Sequence, residues 1–174
     1  MKKVVLELKE GDHIVHATHG VGVIMGIESK KLQDEKHVYY TVKTDKLTYW
    51  LELVESKSTR IRAVCAPATF TKALSVMRRE PKLLSNNFRT RIRTIKDEMV
   101  KCSVIANARL IRDLHARNAE KNLHVNEHRT MDKLKNQFAS EWAVSAGIDK
   151  VEAVAEMERA LSVSIEKLIA QENV

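Results

Sequence analysis

The feature that most constrains this fold is a change in hydrophobic period near Pro67. Before it, short runs of Val, Ile, Tyr and Thr alternate with turn residues, a pattern typical of β-strands. After it, apolar residues recur at spacings of three and four, which is typical of amphipathic helices. Four of the five glycines precede residue 27, and only Gly147 follows Pro67. We therefore predict an α+β chain of two domains, residues 1–66 and residues 67–174.

The first 66 residues predict four or five short strands. Runs of strand-forming residues cover residues 13–16, 21–27, 38–43 and 47–53, with turn candidates between them. Strands of this length and spacing favour a small, strongly bent antiparallel sheet or barrel.

Three histidines at three-residue intervals, His13, His16 and His19, raise the question of a metal site. On a strand, side chains alternate between the two faces, so His13 and His16 point to opposite sides and do not chelate one ion. His19 followed by Gly20 is typical of a turn. The pattern therefore favours a strand and a turn over a metal centre.

The second region predicts five helices, each with its own apolar stripe. The stripes consist of Phe70, Leu74 and Met77; Phe88, Ile92, Ile95 and Met99; Ile105, Ala108, Ile111 and His115; Met131, Leu134, Phe138, Trp142 and Val144; and Val151, Val154, Leu161, Ile165 and Leu168. Ser85, Ser103 and Asp149 are the predicted N-caps, and Pro81 and Gly147 are the predicted breaks. Packing the five stripes together predicts an all-α helical bundle.

The positive charge is concentrated in the middle of the chain. The net charge is +7 overall, with +2 in residues 1–66, +8 in residues 67–146 and −3 in residues 147–174. A basic segment of this kind favours a polyanionic partner, most often nucleic acid. A helical surface rich in Lys and Arg for solubility is the alternative.

The densest basic run follows the Pro81 break. Arg89, Arg93 and Lys96 fall on one side of the predicted helix, opposite much of its apolar stripe. At a helix start, such cations and the free N–H groups of the first turn can hold phosphates. These contacts position a protein on DNA without reading its sequence. A charged helix face without a ligand is the alternative.

Two neighbouring aromatic residues, Tyr49 and Trp50, lie on a predicted strand. Because neighbours on a strand face opposite sides, one ring is expected to pack in the core and leave the other exposed. An exposed aromatic on a strand indicates a protein interface. Burial of both rings in a small barrel is the alternative.

The sequence contains no signature of catalytic chemistry. It lacks a phosphate-binding glycine loop, a zinc-protease motif and a nucleophile elbow. We therefore expect a protein that is not an enzyme, with no catalytic residue, cofactor or metal. No run approaches the roughly 20 apolar residues that span a bilayer, and the start lacks the pattern of a secretory signal. We expect a cytoplasmic protein that does not contact the membrane.

The order of several motifs resembles the CarD/CdnL-type bacterial transcription regulators. Their RNA-polymerase-interaction domain, which also occurs in the transcription-repair coupling factor, is similar to the stretch with Gly11-Asp12, His16, His19-Gly20 and Ile27-Glu28. The second half matches through Glu80-Pro81, Ser85, Phe88-Arg89, Arg112-Asp113-Leu114 and Glu127-His128-Arg129. The resemblance spans roughly residues 9–145.

This resemblance implies a Tudor-like antiparallel β-barrel that binds the RNA polymerase β subunit through an exposed strand. It also implies a helical domain that reaches upstream promoter DNA at the edge of the melted bubble, largely without sequence specificity, and stabilises the open complex. From this resemblance, together with the residue patterns above, we predict polymerase contacts at Lys30, Tyr49, Trp50 and Leu51. We predict DNA contacts at Leu84, Asn87, Arg89, Arg93 and Arg129.

The chain departs from the family pattern at both implied interfaces. Leu84 stands where the family has a tryptophan that wedges into the minor groove, a role that Leu can also fill. Asn86 and Asn87 replace two basic residues, and Trp50 stands where a second Arg is expected. The missing ring favours an alternative function, a polymerase-binding adaptor that does not touch DNA, whereas the +8 segment opposes it. A general basic nucleic-acid-binding protein would leave Trp50 without a role. We expect a monomer, associated with the nucleoid through RNA polymerase.

Overall fold

The structure is a computed structural model of the full chain. It describes the backbone of residues 8–32, 35–52 and 61–172, and the side chains of those residues except 30–36 and 171–172. The chain divides into two compact units, Met1–Val64 and Cys65–Val174, which we call the sheet unit and the helical unit. This division falls two residues before the boundary predicted from the sequence.

The described part of the sheet unit contains five strands. They are β1 (His13–His16), β2 (Gly20–Leu32), β3 (Glu35–Lys43), β4 (Thr48–Glu52) and β5 (Ile61–Ala63). All neighbours are antiparallel, in the order β4-β3-β2-β1-β5. The α+β class is confirmed, and so are the predicted strands. The barrel needs a correction, because closure requires the end strands to pair, and over the described residues β4 and β5 end an open sheet.

The core of the sheet unit lies on one face of these strands. Ile14, Ile24 and Val42 are completely buried there, and Ile24 and Val42 are direct cross-strand partners. Gly22 lies on β2, two residues before Ile24, and pairs with Ile14 of β1. A Cβ at Gly22 would meet Val42 Cγ1 at 2.6 Å and the Lys43 carbonyl oxygen at 3.2 Å. The close approach of β2 and β3 therefore requires glycine at this position.

The histidine repeat forms a strand and a turn, as the sequence predicted. His13 and His16 are the two ends of β1, with His13 exposed and His16 half-buried. The Nδ1 atom of His16 accepts hydrogen bonds from the backbone N–H groups of Thr18 (3.0 Å) and His19 (3.2 Å). Gly20 then begins β2 with a φ of 78°. In the part of the chain that the structure describes, no group of three His, Cys, Asp or Glu side chains is arranged to hold a metal ion.

The helical unit contains the five predicted helices. They are α1 (Pro67–Met77), α2 (Phe88–Val100), α3 (Val104–Glu120), α4 (Val125–Ala146) and α5 (Lys150–Glu172). Their shared core includes the fully buried Phe70, Met77, Ile111, Leu114 and Leu161. None of the helices in the described ranges is both long and apolar enough to cross a membrane.

Most predicted helix ends are confirmed, with one correction. The Ser103 hydroxyl accepts the Ala106 N–H at 3.5 Å, and Gly147 ends α4 in the left-handed conformation. Asp149 Oδ1 accepts the Val151 N–H at 2.6 Å. The cap of α2 is Asn87 and not Ser85, because Asn87 Oδ1 accepts the Thr90 N–H at 3.1 Å.

The predicted inward stripe of α5 was partly wrong. Val151 is 77% exposed and Val154 is also exposed. The buried positions near the start of the helix are instead Ala153, Met157 and Ala160. These residues keep the same three- and four-residue spacing, and small Ala side chains let α5 approach its neighbours closely. The buried face at the start of α5 is therefore formed by alanine and methionine and not by the two valines.

We predict that Gly22→Ala destabilises the sheet unit, whereas Gly26→Ala does not. A Cβ at Gly22 would clash with a completely buried side chain, and such overpacking costs roughly 1–3 kcal/mol. At Gly26 a Cβ meets nothing within 4 Å, so the free energy of unfolding should change by less than about 1 kcal/mol. Urea unfolding followed by Trp50 fluorescence in a Trp142→Phe background measures both. If the two variants lose the same amount of unfolding free energy, the close approach of β2 and β3 at Gly22 is contradicted.

Candidate functional site

The segment between α1 and α2, residues 78–87, has no regular structure but is held at many points by the helices around it. Its backbone carbonyl groups accept hydrogen bonds from Ser164 Oγ at 2.9 Å, Lys167 Nζ at 2.8 Å and Arg117 Nη1 at 3.3 Å. One of its N–H groups, that of Lys82, donates to Asp113 Oδ1 at 2.9 Å. We call this segment the α1–α2 loop. Its conformation is fixed by side chains of α3 and α5.

A buried ion pair, Arg91 with Glu127, joins the start of α2 to the start of α4. The guanidinium binds the carboxylate with two nitrogens, Nε to Oε1 and Nη2 to Oε2. Its remaining nitrogen, Nη1, donates to the Ser85 carbonyl at 2.7 Å and to the Asn86 carbonyl at 3.2 Å. Arg91 therefore ties the α1–α2 loop, α2 and α4 together.

Glu127 is ionised in this environment and also caps α4. Its Oε2 atom accepts the His124 backbone N–H at 2.9 Å, which completes a capping box with the His124 side chain. Burial by itself would raise the pKa of Glu127, but the hydrogen bond from Arg91 and the His124 N–H lower that pKa below its ordinary value. With a side chain that is 1% exposed, Glu127 depends on Arg91 for its charge compensation.

The second buried pair, Arg112 and Asp113, lies in the middle of α3. Arg112 Nε donates to Asp113 Oδ1 at 2.8 Å, and Arg112 Nη1 donates to the Val76 carbonyl at 3.2 Å. Burial raises the pKa of Asp113, while the Lys82 N–H and the Arg112 charge act to lower that pKa. This pair links α3 to the end of α1 and to the α1–α2 loop.

The buried charges of residues 67–146 cancel. Three basic side chains, Arg91, Arg112 and Arg117, and three acidic ones, Asp113, Glu127 and Glu141, are buried. The net charge of +8 in this segment therefore lies entirely on its surface. Arg91 lies in the same basic run as Arg89 and Arg93, but its side chain is buried, so it adds nothing to the exposed charge.

The exposed positive charge is densest in residues 82–96, which we call the basic stretch. It contains no acidic residue, since Glu80 precedes it and Asp97 follows it. Its four exposed cations are Lys82, Arg89, Arg93 and Lys96. Arg89 and Arg93 are one helical turn apart on α2 and share a face. The exposed Arg129 lies near the start of α4, the helix that the Arg91–Glu127 pair joins to α2.

Two other residues predicted to contact DNA have structural roles. Asn87 is exposed, but its side-chain oxygen caps α2. Leu84 is half-buried and packs against the core of the helical unit, and its carbonyl accepts from Arg117.

The sequence analysis assigned Phe88 to the inward stripe of α2, and the structure corrects this. Phe88 is the first residue of the helix and is 46% exposed. Its ring and the His124 ring form a T-shaped pair with a centroid distance of 5.4 Å, and the Arg91 guanidinium carbon lies 5.7 Å from its centroid. Exposed Leu83 precedes it in the α1–α2 loop. No local signal marks Phe88 as exposed, since Val104, which also follows a helix cap directly, is buried.

In the sheet unit, one of the two neighbouring aromatics of β4 is exposed and the other packs in the core, as predicted. Trp50 on the end strand β4 is 58% exposed, whereas Tyr49 packs against the core. Leu51 is buried in that core, because side chains alternate between the two faces along β4. The predicted polymerase contact through the Leu51 side chain is therefore wrong. The backbone of Lys30 pairs with His37 in the β2–β3 ladder, and its side chain lies outside the described residues.

Tyr49 also holds the turn between β1 and β2. Its ring centroid lies 4.7 Å from that of His19 and 5.9 Å from that of His16, and the two imidazole centroids are 4.6 Å apart. Burial raises the pKa of Tyr49 to about 12, so the phenol stays neutral. Tyr49 therefore acts as a packing residue, and Trp50 is the aromatic that β4 offers to a partner.

Comparison with known proteins matches both units. Residues 8–49 match the CarD-like/TRCF RID domain, and residues 72–158 match the CarD C-terminal domain. The chain belongs to the CarD family. It is also 28% identical over 142 residues to "Putative transcription factor YdeB" of Bacillus subtilis (strain 168), an alignment that covers 79% of this chain and 92% of that protein. The resemblance noted from the motifs is confirmed, and the functional class of this CarD-family chain is transcription regulation through RNA polymerase.

Some of the motifs that carried this resemblance are scaffold residues of the CarD-type helical unit. The Arg112-Asp113 pair and Glu127 are buried and hold the α1–α2 loop and the starts of α2 and α4. Others, such as Phe88-Arg89 and Arg129, are exposed beside this scaffold.

We predict that Arg91→Ala lowers the free energy of unfolding of the helical unit by about 3–5 kcal/mol, because Glu127 would remain buried without a counter-charge. The matched control is Arg93→Ala, an exposed arginine on the same helix, with an expected change within about 0.5 kcal/mol. Urea unfolding of the full chain, followed by Trp142 fluorescence in a Trp50→Phe background, measures both. A loss for Arg91→Ala as small as that of the control would show that the pair does not stabilise the unit.

Proposed function

We propose that the chain is a non-enzymatic transcription regulator with two partners. The sheet unit binds the β subunit of RNA polymerase, and the helical unit binds upstream promoter DNA at the edge of the melted bubble. Together the two contacts stabilise the open promoter complex. The protein acts in the cytoplasm as a monomer, without a cofactor, and associates with the nucleoid through the polymerase.

The observation that supports the DNA contact best is the basic stretch. No acidic residue lies between residues 81 and 96, the range that contains its four exposed cations. Phosphate contacts by Arg and Lys supply most of the affinity of sequence-independent DNA binding. Arg89 and Arg93 are the residues to which we assign these contacts, with Arg129 on α4 as a third.

The starts of α2 and α4 support the same assignment. They are neighbours, since the Phe88 and His124 rings are in contact and Arg91 binds Glu127. The helix dipole favours anions at a helix N-terminus, and the first turn of α2 contains no acidic residue of its own. The start of α2 beside Arg89 therefore suits a phosphate, and the fixed α1–α2 loop lowers the ordering cost of binding.

The polymerase contact is supported by the RID-domain match and by Trp50. A large aromatic that is more than half exposed on an end strand is typical of an interface anchor. We assign the contact to the outward face of β4, with Trp50 as the central residue.

The alternative function is a polymerase-binding adaptor that does not touch DNA. The half-buried Leu84 favours it, because that side chain is not free to insert between bases without leaving the core. The surface charge of the helical unit opposes it. The two functions predict different outcomes for the arginines of α2.

We predict that the double variant Arg89→Ala, Arg93→Ala loses at least tenfold in affinity for a promoter duplex with a melted segment, at physiological salt. Each lost phosphate contact should also reduce the slope of log affinity against log salt by about 1. Fluorescence anisotropy of labelled DNA at several salt concentrations measures both effects.

The matched control for this experiment removes two exposed cations elsewhere in the helical unit, Lys72→Ala on α1 and Arg159→Ala on α5. It has the same net charge as the α2 variant and should lose far less affinity. If both double variants bind alike, net charge alone determines binding. If wild type does not bind DNA at all, the adaptor function is correct.

We predict that Trp50→Ala abolishes co-elution of the full chain with the isolated β-subunit lobe of its polymerase in gel filtration. Hot-spot aromatics of this kind contribute about 2 kcal/mol or more, roughly a thirtyfold change in Kd. Val151→Ala, which removes an exposed apolar side chain of the helical unit, is the control. If Trp50→Ala co-elutes with the lobe as well as wild type does, the polymerase contact does not depend on β4.

A further inference from the structure

Phe88 is an exposed aromatic side chain in the middle of the basic stretch. It is 46% exposed, whereas the other phenylalanines, Phe70 and Phe138, are buried. It is also the first residue of α2, with the exposed Arg89 beside it. An apolar ring at this position has no part in the core.

The ring of Phe88 contacts two neighbouring side chains. The His124 ring packs against it in a T-shaped arrangement with 5.4 Å between centroids, and the Arg91 guanidinium carbon lies over it, 5.7 Å from its centroid. Arg91 is itself fixed by Glu127 and by two carbonyl groups of the α1–α2 loop. The exposed part of the ring therefore faces solvent in a pre-set orientation, so little side-chain entropy is lost when a partner covers it.

We propose that Phe88 is a stacking platform for an unpaired DNA base. An aromatic ring among cations is the arrangement by which proteins hold single-stranded nucleic acid, since each base offers a π-face and each phosphate a charge. The absence of acidic residues from the basic stretch makes the surface complementary to a polyanion. This inference rests on the proposed DNA contact and specifies it: the preferred ligand is DNA with an unpaired base beside a duplex.

Leu84 has a different role in this arrangement. It packs against the core of the helical unit, and Arg117 binds its carbonyl group. Its truncation should lower the stability of the helical unit and leave the preference for unpaired bases intact. Phe88, by contrast, can be truncated without opening a cavity in the core.

The experiment compares a fully paired duplex with the same duplex containing a short unpaired segment, by anisotropy with the full chain. Phe88→Ala should weaken binding to the DNA with unpaired bases by about tenfold, since base–aromatic stacking contributes about 1–3 kcal/mol per base. Binding to the paired duplex should change by less than about twofold, because the arginine contacts remain. A 2-aminopurine at the edge of the unpaired segment reports stacking directly through its quenching.

Matched variants keep the result interpretable. Val100→Ala removes the other exposed apolar side chain of α2, which is 81% exposed, and should change neither affinity. Phe88→Leu keeps an apolar side chain but removes the ring, so it tests stacking even if Phe88→Ala disturbs the start of α2. Circular dichroism and thermal unfolding confirm that each variant is folded.

The outcomes separate this inference from the proposed function. If wild type binds both DNAs and Phe88→Ala keeps the same preference for unpaired bases, the stacking role is wrong and the DNA contact stands. If Leu84→Ala alone removes the preference, Leu84 makes the base contact. If wild type binds neither DNA, the proposed DNA contact fails and the stacking role fails with it.

Discussion

The buried Arg91–Glu127 pair is the interaction on which the candidate DNA surface depends. The α1–α2 loop has no regular structure to satisfy its backbone groups, and hydrophobic packing alone does not orient carbonyl groups because it is not directional. The planar guanidinium of Arg91 binds the carboxylate of Glu127 and two loop carbonyls in a fixed geometry. A lysine at this position would be a point charge without that fork. One side chain thus sets the position of the loop and the starts of two helices.

The same pair explains how a basic segment can be both well packed and positive outside. Arginines 91, 112 and 117 are buried among carboxylates and carbonyls, and their charge is cancelled inside the unit. Their long side chains reach backbone groups that a shorter residue would leave unpaired. The exposed arginines of α2, by contrast, lie in a stretch without an acidic residue from residue 81 to residue 96. Buried arginines therefore stabilise the packing, whereas other, exposed arginines give the surface its positive potential. A count of basic residues does not distinguish the two kinds.

Much of this fold could be predicted from the sequence, because the hydrophobic periodicity and the residues at helix ends and turns indicate the same elements. The strands of the sheet unit, the five helices, the Ser103 cap and the Gly147 stop follow from local patterns. Such local patterns do not show whether the sheet closes into a barrel, since pairing of the end strands is a long-range property. In α5, alanines took core positions that the pattern gave to valines, because close helix approach favours small side chains and only the packed structure shows which face is close.

The candidate site was harder to predict, although part of the signal was present. Arg91 lies three residues after Phe88 and four before Ile95, so helical spacing puts it on the inward stripe, where an arginine requires a buried acidic partner. Nothing local identifies that partner as Glu127, which is distant in sequence and becomes adjacent only when α2 and α4 pack. The exposure of Phe88 has the same origin. The Asn87 cap starts α2 at the edge of the core, so its first residue projects beyond the packed layer while residues one turn later enter it. An apolar residue directly after a helix cap is therefore not by itself a core marker: Val125, after the His124 cap, is exposed like Phe88, whereas Val104, after the Ser103 cap, is buried.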